Sequence, residues 1–253
     1  MEDRPHTLRE LLRNEIPPLY AFAYRVSNQR QEAERFILEM CQEASLRYES
    51  ALLSEPDPAR TLLAIVARSM EQNLGRKTDH TFDSLDELLR SDITRPIDLR
   101  TAGSLESDPR RVHGLMWELK RTCLGAVLGC LPPGVRLSFV LTDLMGFAPP
   151  DAATVLGIKE SAYRVRLTRA RKRIEDYLTP RCYHVDRQNP CTCPGRLMIA
   201  LDAGFIREPT HPGENPAESH DAGGPRRDIG SLYRGLPEVA LSEVELDRLL
   251  PLV

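Results

Sequence analysis

The chain has 253 residues, with 37 acidic against 34 basic side chains and a formal net charge of −3 at pH 7. Its length suffices for one large or two smaller domains, and 41% hydrophobic with 28% charged residues is ordinary for a soluble globular protein. Because apolar stretches fall short of the roughly 20 residues that cross a bilayer and the charged N-terminus lacks a signal-peptide core, we expect no membrane span and a cytoplasmic location.

The spacing of apolar residues in the first 78 positions predicts a small bundle of short helices. In the segment 30–50, RQEAERFILEMCQEASLRYES, apolar residues recur at intervals of three and four, the pattern of an amphipathic helix. A second such stripe follows Pro58, a residue suited to the first turn of a helix. Two consecutive prolines, Pro17 and Pro18, are expected to separate an opening helix from the next one. These helices can bury their apolar faces against one another, so residues 1–78 are predicted to form a helical domain.

Residues 79–110 are predicted to form a linker, because the periodicity of apolar residues weakens there and Gly, Pro and polar residues accumulate. One short helix, SLDELLRS, is predicted within it. Periodicity then returns and continues to the break CLPPG. Three helix-sized pieces follow, each bounded by Gly or Pro, and the last is the basic segment Glu160–Leu178. Residues 111–180 are therefore predicted to be a second all-helical domain, and the fold class is all-α.

The basic segment Glu160–Leu178 carries six of the 34 Lys and Arg residues of this slightly acidic chain. On a helix, an apolar line would pack inward, formed by Tyr163, Leu167, Ala170 and Ile174. Most of the basic side chains then point outward or lie on the flanks. A solvated charged face is the ordinary interpretation of such a helix. Here a short helix and Gly157 precede it, which indicates a helix-turn-helix whose second helix enters the major groove of DNA.

The stretch from CLPPG to Leu178 resembles the C-terminal DNA-binding domain of bacterial extracytoplasmic-function sigma factors. Its most specific parts are the Leu131-Pro132-Pro133 start, the LGI at 156–158 and the run RVRLTRARKRI. The segments EIPPLYAFAYRVSNQRQEAERFILEM and PARTLLAIVARSMEQNLGRK are similar in helix pattern to the other domain of those factors. The two similar regions stand in the family order and are joined by a linker.

The resemblance implies a sigma factor that directs RNA polymerase to specific promoters. The N-terminal domain would bind core RNA polymerase and read the downstream promoter element, and the helix-turn-helix would read the upstream element of double-stranded promoter DNA. An anti-sigma factor is a further partner to expect. The groove-facing residues would be Ser161, Arg164, Val165 and Thr168. The phosphate contacts would come from Lys159, Arg166, Arg169, Arg171 and Lys172.

An alternative function is a sigma-like helix-turn-helix regulator without a role at the polymerase core, controlled by a metal- or redox-responsive cysteine tail. Arg35 and Leu38 stand where the family usually has Asp and Gln in its polymerase-binding helix. An enzyme is not expected, because the sequence contains neither a glycine-rich phosphate loop nor an HExxH motif, and no nucleophile stands in a recognisable frame.

Three of the six cysteines lie within 12 positions of one another in the stretch RCYHVDRQNPCTCPGR. Three thiolates and an imidazole can complete a tetrahedral zinc shell, so the candidate metal ligands are Cys182, His184, Cys191 and Cys193. A loop with free thiols and an incidental histidine is the alternative interpretation. The remaining cysteines sit singly in apolar helical patterns and are predicted to be buried reduced thiols, namely Cys41, Cys123 and Cys130.

Residues 181–206 are accordingly predicted to be a Cys/His extension, and 207–253 a flexible tail that ends in a short helix. The tail up to residue 237 is rich in Pro, Gly and small polar residues. In the final LSEVELDRLLPLV, Ser242 and Glu245 have the spacing of a capping box. This amphipathic helix is expected to dock either on its own chain or on a partner.

Overall fold

The computed structural model describes residues 7–74, 78–90, 109–206, 228–236 and 239–251. Every named element in these ranges is a helix, which confirms the all-α prediction. None of the helices described is long and apolar enough to traverse a membrane. The helices are α1 (Leu8–Ser27), α2 (Arg30–Glu43), α3 (Glu49–Ser54), α4 (Pro58–Asn73), α5 (Phe82–Arg90), α6 (Pro109–Gly129), α7 (Pro133–Phe139), α8 (Pro149–Leu156), α9 (Glu160–Leu178), α10 (Cys193–Asp202), α11 (Ile229–Arg234) and α12 (Glu243–Leu249). Helices α2 and α7 continue into π-helical turns at Ala44–Tyr48 and Val140–Leu144.

The chain divides into two compact units that are not contiguous in sequence. The first contains residues 1–77, 132–168 and 238–253, and the second contains residues 78–131 and 169–237. Helices α7, α8 and α12 thus belong to the same unit as α1–α4. The domain boundaries read from the sequence stay predictions.

Helix α1 runs without interruption through Pro17 and Pro18, so the predicted division into two helices was wrong. A proline inside a helix removes a backbone hydrogen bond and costs about 3 kcal/mol or more. Burial offsets this cost, because Ile16 and Leu19, which flank the two prolines, are both buried. Tertiary packing therefore holds the helix together where the local sequence favours a break.

The core of the first unit forms where α1, α2 and α4 pack against one another. The apolar stripes predicted for α2 and α4 are buried there, as shown by Phe36, Ile37, Leu62 and Val66. Helix α4 begins at Pro58, as its sequence predicts. The structure adds a cap: the Asp57 carboxylate accepts a hydrogen bond from the backbone N–H of Arg60.

A buried cation, Arg136, fixes α7 at the end of α1. Its side chain is almost fully enclosed, and Nη1 donates a hydrogen bond of 2.7 Å to the carbonyl oxygen of Val26. The last carbonyls of a helix lack intrahelical partners and carry partial negative charge, so a cation is stabilised beside them. The Arg136 guanidinium therefore provides a specific link between two segments of the first unit, residues 1–77 and 132–168.

The second unit is built on the packing of α6 against α10, with Leu115, Leu119, Leu197 and Ile206 in its core. The short helix predicted within the linker is α5. Its Leu85 is buried, and its Asp86 carboxylate accepts hydrogen bonds from the Tyr177 hydroxyl and the Arg181 guanidinium. Residues 91–108 of the predicted linker lie outside the described residues.

Helix α11 lies in a stretch for which the sequence predicted flexibility. Its N-cap is Asp228, whose side chain accepts the N–H of Gly230, and its Leu232 and Tyr233 are buried in the second unit. Two apolar anchors and a cap are enough to order this helix despite the Gly and Pro around it. Residues 207–227 of the predicted tail lie outside the described part of the chain.

Candidate nucleic-acid interface

Helices α8 and α9 are joined by a tight turn at Gly157. This residue has φ of 68°, a left-handed conformation that glycine adopts without steric cost. Its N–H bonds to the carbonyl of Thr154, and the N–H of Ile158 bonds to the carbonyl of Ala153. These two bonds form a Schellman motif, which ends α8 and redirects the chain into α9. The predicted helix-turn-helix is therefore present.

The inner face of α9 is fully packed, as predicted. The apolar line of Tyr163, Leu167, Ala170 and Ile174 is buried. In the first unit, the Tyr163 hydroxyl donates to the carbonyl oxygen of Ser138 at 2.8 Å and lies 2.7 Å from the Thr142 hydroxyl. These contacts fix the rotation of α9 about its own axis, which determines the side chains that face outward.

The outer face of α9 carries the residues predicted to contact DNA. Arg166 is partly buried, whereas the other predicted residues are exposed: Lys159, Ser161, Arg164, Val165, Thr168, Arg169, Arg171 and Lys172. The exposure of Val165 is 58%, which is unusual for a large apolar side chain on a cationic surface. Such a residue suits apolar contact with a thymine methyl group in the major groove. The DNA contacts themselves stay predictions.

Two of the outward cations have partners on α9 itself. Arg164 pairs with Glu160 at 2.7 Å, and Lys172 pairs with Asp176 at 3.1 Å, each one helical turn apart. Exposed pairs of this kind contribute only about 0.3–0.5 kcal/mol. A DNA phosphate can therefore displace either carboxylate at little cost.

Arg166 is paired with a different helix. Its Nη1 lies 2.7 Å from Oε1 of Glu71 on α4, and both side chains are partly buried. Gly134 borders this pair so closely that a Cβ there would lie 2.7 Å from the Glu71 oxygen and 2.8 Å from the Arg166 nitrogen. Glycine at this position thus leaves room for the pair. Arg166 can reach a phosphate only after it leaves Glu71.

We expect Glu71→Gln to raise the affinity of the full chain for duplex DNA. The change releases Arg166 and removes a negative charge from its surroundings, and a pair worth up to about 1 kcal/mol corresponds to a gain of roughly fivefold or less. Fluorescence anisotropy with a labelled duplex at fixed low salt measures the effect. Glu39→Gln, which removes the same charge from α2, is the matched control and should bind as the unchanged chain does. A lower affinity for Glu71→Gln would contradict the competition between Glu71 and phosphate.

Two arginines of α4 hold α8 in place within the first unit. Arg68 donates from Nε to the carbonyl of Val155 at 2.9 Å and from Nη2 to the carbonyl of Thr154 at 3.0 Å. Arg60 pairs with Asp151 at 2.8 Å. The Arg68 cation sits at the carbonyl end of α8, where it opposes the partial negative charge of the helix. These contacts support the turn before α9, and no spacing in the sequence indicated them.

Two contacts in the second unit join the predicted metal ligands in pairs. The backbones of Cys182 and Cys191 form an isolated parallel bridge, and Nε2 of His184 lies 3.3 Å from Sγ of Cys193. All six cysteines of the chain are free thiols. Among the described residues, no three ligand-type side chains are already arranged around one metal position.

Cys123 of α6 interacts electrostatically with the tail cysteines, although the sequence placed it among the buried thiols that sit singly. Burial raises its pKa well above the usual value, and the charges of Cys191, Cys182 and Cys193 raise it further. Burial also raises the pKa of Cys193 to about 12. These thiols are therefore protonated at neutral pH when no ion is bound. Cys123 stands 59 positions before Cys182, so no local motif in the sequence could have revealed its interaction with the tail cysteines.

Residues 121–174 match the family model described as Sigma-70, region 4. The chain is 28% identical over 174 residues to the ECF RNA polymerase sigma factor SigE of Mycolicibacterium smegmatis, and the match covers 67% of this chain and 60% of the relative. It is 36% identical over 84 residues to the RNA polymerase sigma factor CnrH of Cupriavidus metallidurans, with 32% and 43% covered. The chain thus spans less than two thirds of the length of these curated relatives.

Among solved structures, the chain is similar to the sigma factor RpoE of Bartonella quintana, whose structure was determined in complex with the anti-sigma factor NepR. The TM-score is 0.43 and the identity 20%, over 67% of this chain and 95% of that chain.

Proposed function

Because the chain carries a sigma-70 region 4 domain and is homologous to extracytoplasmic-function sigma factors, we propose that it directs RNA polymerase to specific promoters. The observation that carries this proposal is the exposed cationic face of α9, set behind the Gly157 turn of a helix-turn-helix. The chain would act as a DNA-binding regulator rather than as an enzyme. Its site of action would be the cytoplasm, where bacterial polymerase and chromosome meet, and an anti-sigma factor would be a regulatory partner.

In this proposal α9 enters the major groove of the upstream promoter element. Ser161, Arg164, Val165 and Thr168 face base edges, and the remaining cations hold the flanking phosphates. Arg164 is the first candidate for sequence reading, since a bidentate contact to guanine provides about 1–3 kcal/mol of discrimination. Each neutralised phosphate releases counterions, so affinity falls steeply as the salt concentration rises.

The helices of residues 7–74 would bind core RNA polymerase and read the downstream element. Helix α2 presents Arg35 between Glu32 and Glu39, each pair at 2.7 Å, beside the exposed Leu38. This surface differs in charge from the family pattern, so polymerase binding is the step to test first.

A pull-down with bacterial core RNA polymerase at low salt tests the proposal. The full chain is expected to retain the core enzyme, and the Arg164→Ala, Arg171→Ala double variant should retain it equally, because both changes lie on the DNA face. No association would end the sigma-factor proposal. If the chain then still bound duplex DNA alone, the alternative function of a helix-turn-helix regulator without a polymerase role would replace it.

We propose in addition that the Cys/His extension binds zinc through Cys182, His184, Cys191 and Cys193. The donor chemistry suits a tetrahedral zinc shell, and the contact between His184 and Cys193 supports the grouping. When bound, zinc would order this loop as a structural or regulatory ion. Zinc content of the purified chain should fall in Cys191→Ser and stay unchanged in Cys41→Ser, which removes a thiol from α2. A metal content near zero in every variant would discard the site.

A further inference from the structure

The C-terminal helix α12 docks on the first unit, in a groove between α1 and α2. The capping box of Ser242 and Glu245 is formed as the sequence predicted. One face of the segment is buried through Leu246, Leu249 and Leu250. Docking on its own chain was one of the two expectations for this helix. The sequence did not indicate where on the chain it would dock.

The contact between α12 and the groove is complementary in charge. Arg13 of α1 pairs with Glu243 at 2.6 Å and with Asp247 at 2.8 Å, and Arg30 of α2 pairs with Glu245 at 3.5 Å. The carboxylates flank the buried leucines on both sides. The groove therefore selects a helix that combines leucines at intervals of three and four with acidic flanks.

Several features indicate that α12 is held weakly. Its two ion pairs with Arg13 are open to solvent, with side-chain exposures of 46% for Arg13 and 79% for Glu243, and such pairs are weak and screened by salt. Its pair with Arg30 is more enclosed on the Glu245 side but is long, at 3.5 Å. A helix of 7 residues has little stability of its own. It stays in the groove because the rest of the chain keeps its effective concentration high. An untethered helix of the same kind can compete for the groove when it makes better contacts.

The groove also contains a polar group that α12 does not satisfy. The hydroxyl of Tyr20 is buried and has no hydrogen-bond partner among the described residues. Glu245 and Arg30 both act on it electrostatically, and burial raises its pKa to about 12. Buried hydroxyls nearly always have a partner, and a helix that placed an acceptor here would supply the one that α12 does not.

We propose that the groove between α1 and α2 is a docking site for an acidic amphipathic helix of a partner protein, and that α12 occupies it until that helix displaces it. The partner helix carries leucines that replace Leu246 and Leu249, carboxylates that meet Arg13 and Arg30, and an acceptor for the Tyr20 hydroxyl. This inference does not depend on the proposed sigma-factor function, since it rests on contacts within the first unit.

A labelled synthetic peptide of residues 239–253 serves as the probe in fluorescence anisotropy. We expect the unchanged full chain to bind it weakly, because α12 competes in cis. The full-length variant Leu246→Asp, Leu249→Asp, whose α12 cannot dock, should bind it at least tenfold more tightly. Adding Arg13→Glu and Arg30→Glu to that variant should abolish the gain, and a peptide with Glu243, Glu245 and Asp247 replaced by glutamine should bind less tightly.

Equal binding of the peptide to the unchanged chain and to the folded leucine variant would overturn the proposal. If that variant does not fold, amide hydrogen exchange of the unchanged chain decides the question. The proposal requires residues 243–249 to exchange at least 100-fold faster than the buried turns of α1. Exchange of α12 only together with global unfolding would make it a permanent structural brace, and the proposal would fail.

Discussion

Replacing Arg164 and Arg171 together by alanine is expected to lower the affinity for the promoter duplex by roughly 10- to 100-fold. Both side chains are exposed on the outer face of α9. Loss of a bidentate guanine contact costs about 1–3 kcal/mol, and loss of a phosphate contact should reduce the salt slope by about one. The ion pair with Glu160 does not prevent Arg164 from contacting DNA, because an exposed pair within one helix is weak and a DNA group can replace the carboxylate.

Anisotropy titrations of the polymerase-bound chain at several salt concentrations measure both effects. The matched control is Arg187→Ala with Arg234→Ala, which removes the same two positive charges outside α9. The control should keep the affinity and the salt slope of the unchanged chain. If both pairs of substitutions weaken binding equally, general charge rather than the α9 surface holds the DNA.

Replacing Arg136 by alanine is expected to lower the free energy of unfolding by about 2–5 kcal/mol, the range for truncating a large buried side chain. The change leaves a cavity between α7 and α1. It also removes the donor at 2.7 Å from the Val26 carbonyl, which then lies buried without this partner.

Urea unfolding followed by circular dichroism measures the loss. Arg136→Met fills most of the volume without the charge and should lose less than half as much, because a well-packed apolar side chain can replace a buried ion. A loss below about 1 kcal/mol for Arg136→Ala would mean that α7 is held chiefly by other contacts.

Local signals in the sequence predicted most of the helices and the turn between α8 and α9. The apolar stripe of α9, the start of α4 at Pro58 and the Ser242–Glu245 capping box all depend on residues within a few positions of one another. Such features are decided by backbone geometry and neighbouring side chains. They can be read before the tertiary structure is known.

Features that depend on distant residues could not be read in this way. The continuous α1 through Pro17 contradicts local propensity, and only the burial around it explains the outcome. The pair of Glu71 with Arg166 joins residues 95 positions apart. Cys123 interacts electrostatically with Cys182, which lies 59 positions later in the sequence. In each case the packing of separate helices brings the groups together, and a single sequence contains no periodic pattern that would reveal this packing.

Run-off transcription tests the central claim most directly. The full chain, bacterial core RNA polymerase and linear fragments of the host genome are combined, and transcripts are mapped. We predict discrete start sites that require the chain and whose transcript yield falls strongly with Arg164→Ala, Arg171→Ala at limiting concentrations of the chain. Transcripts unchanged by omission of the chain, or yields unchanged by the double substitution, would contradict the claim.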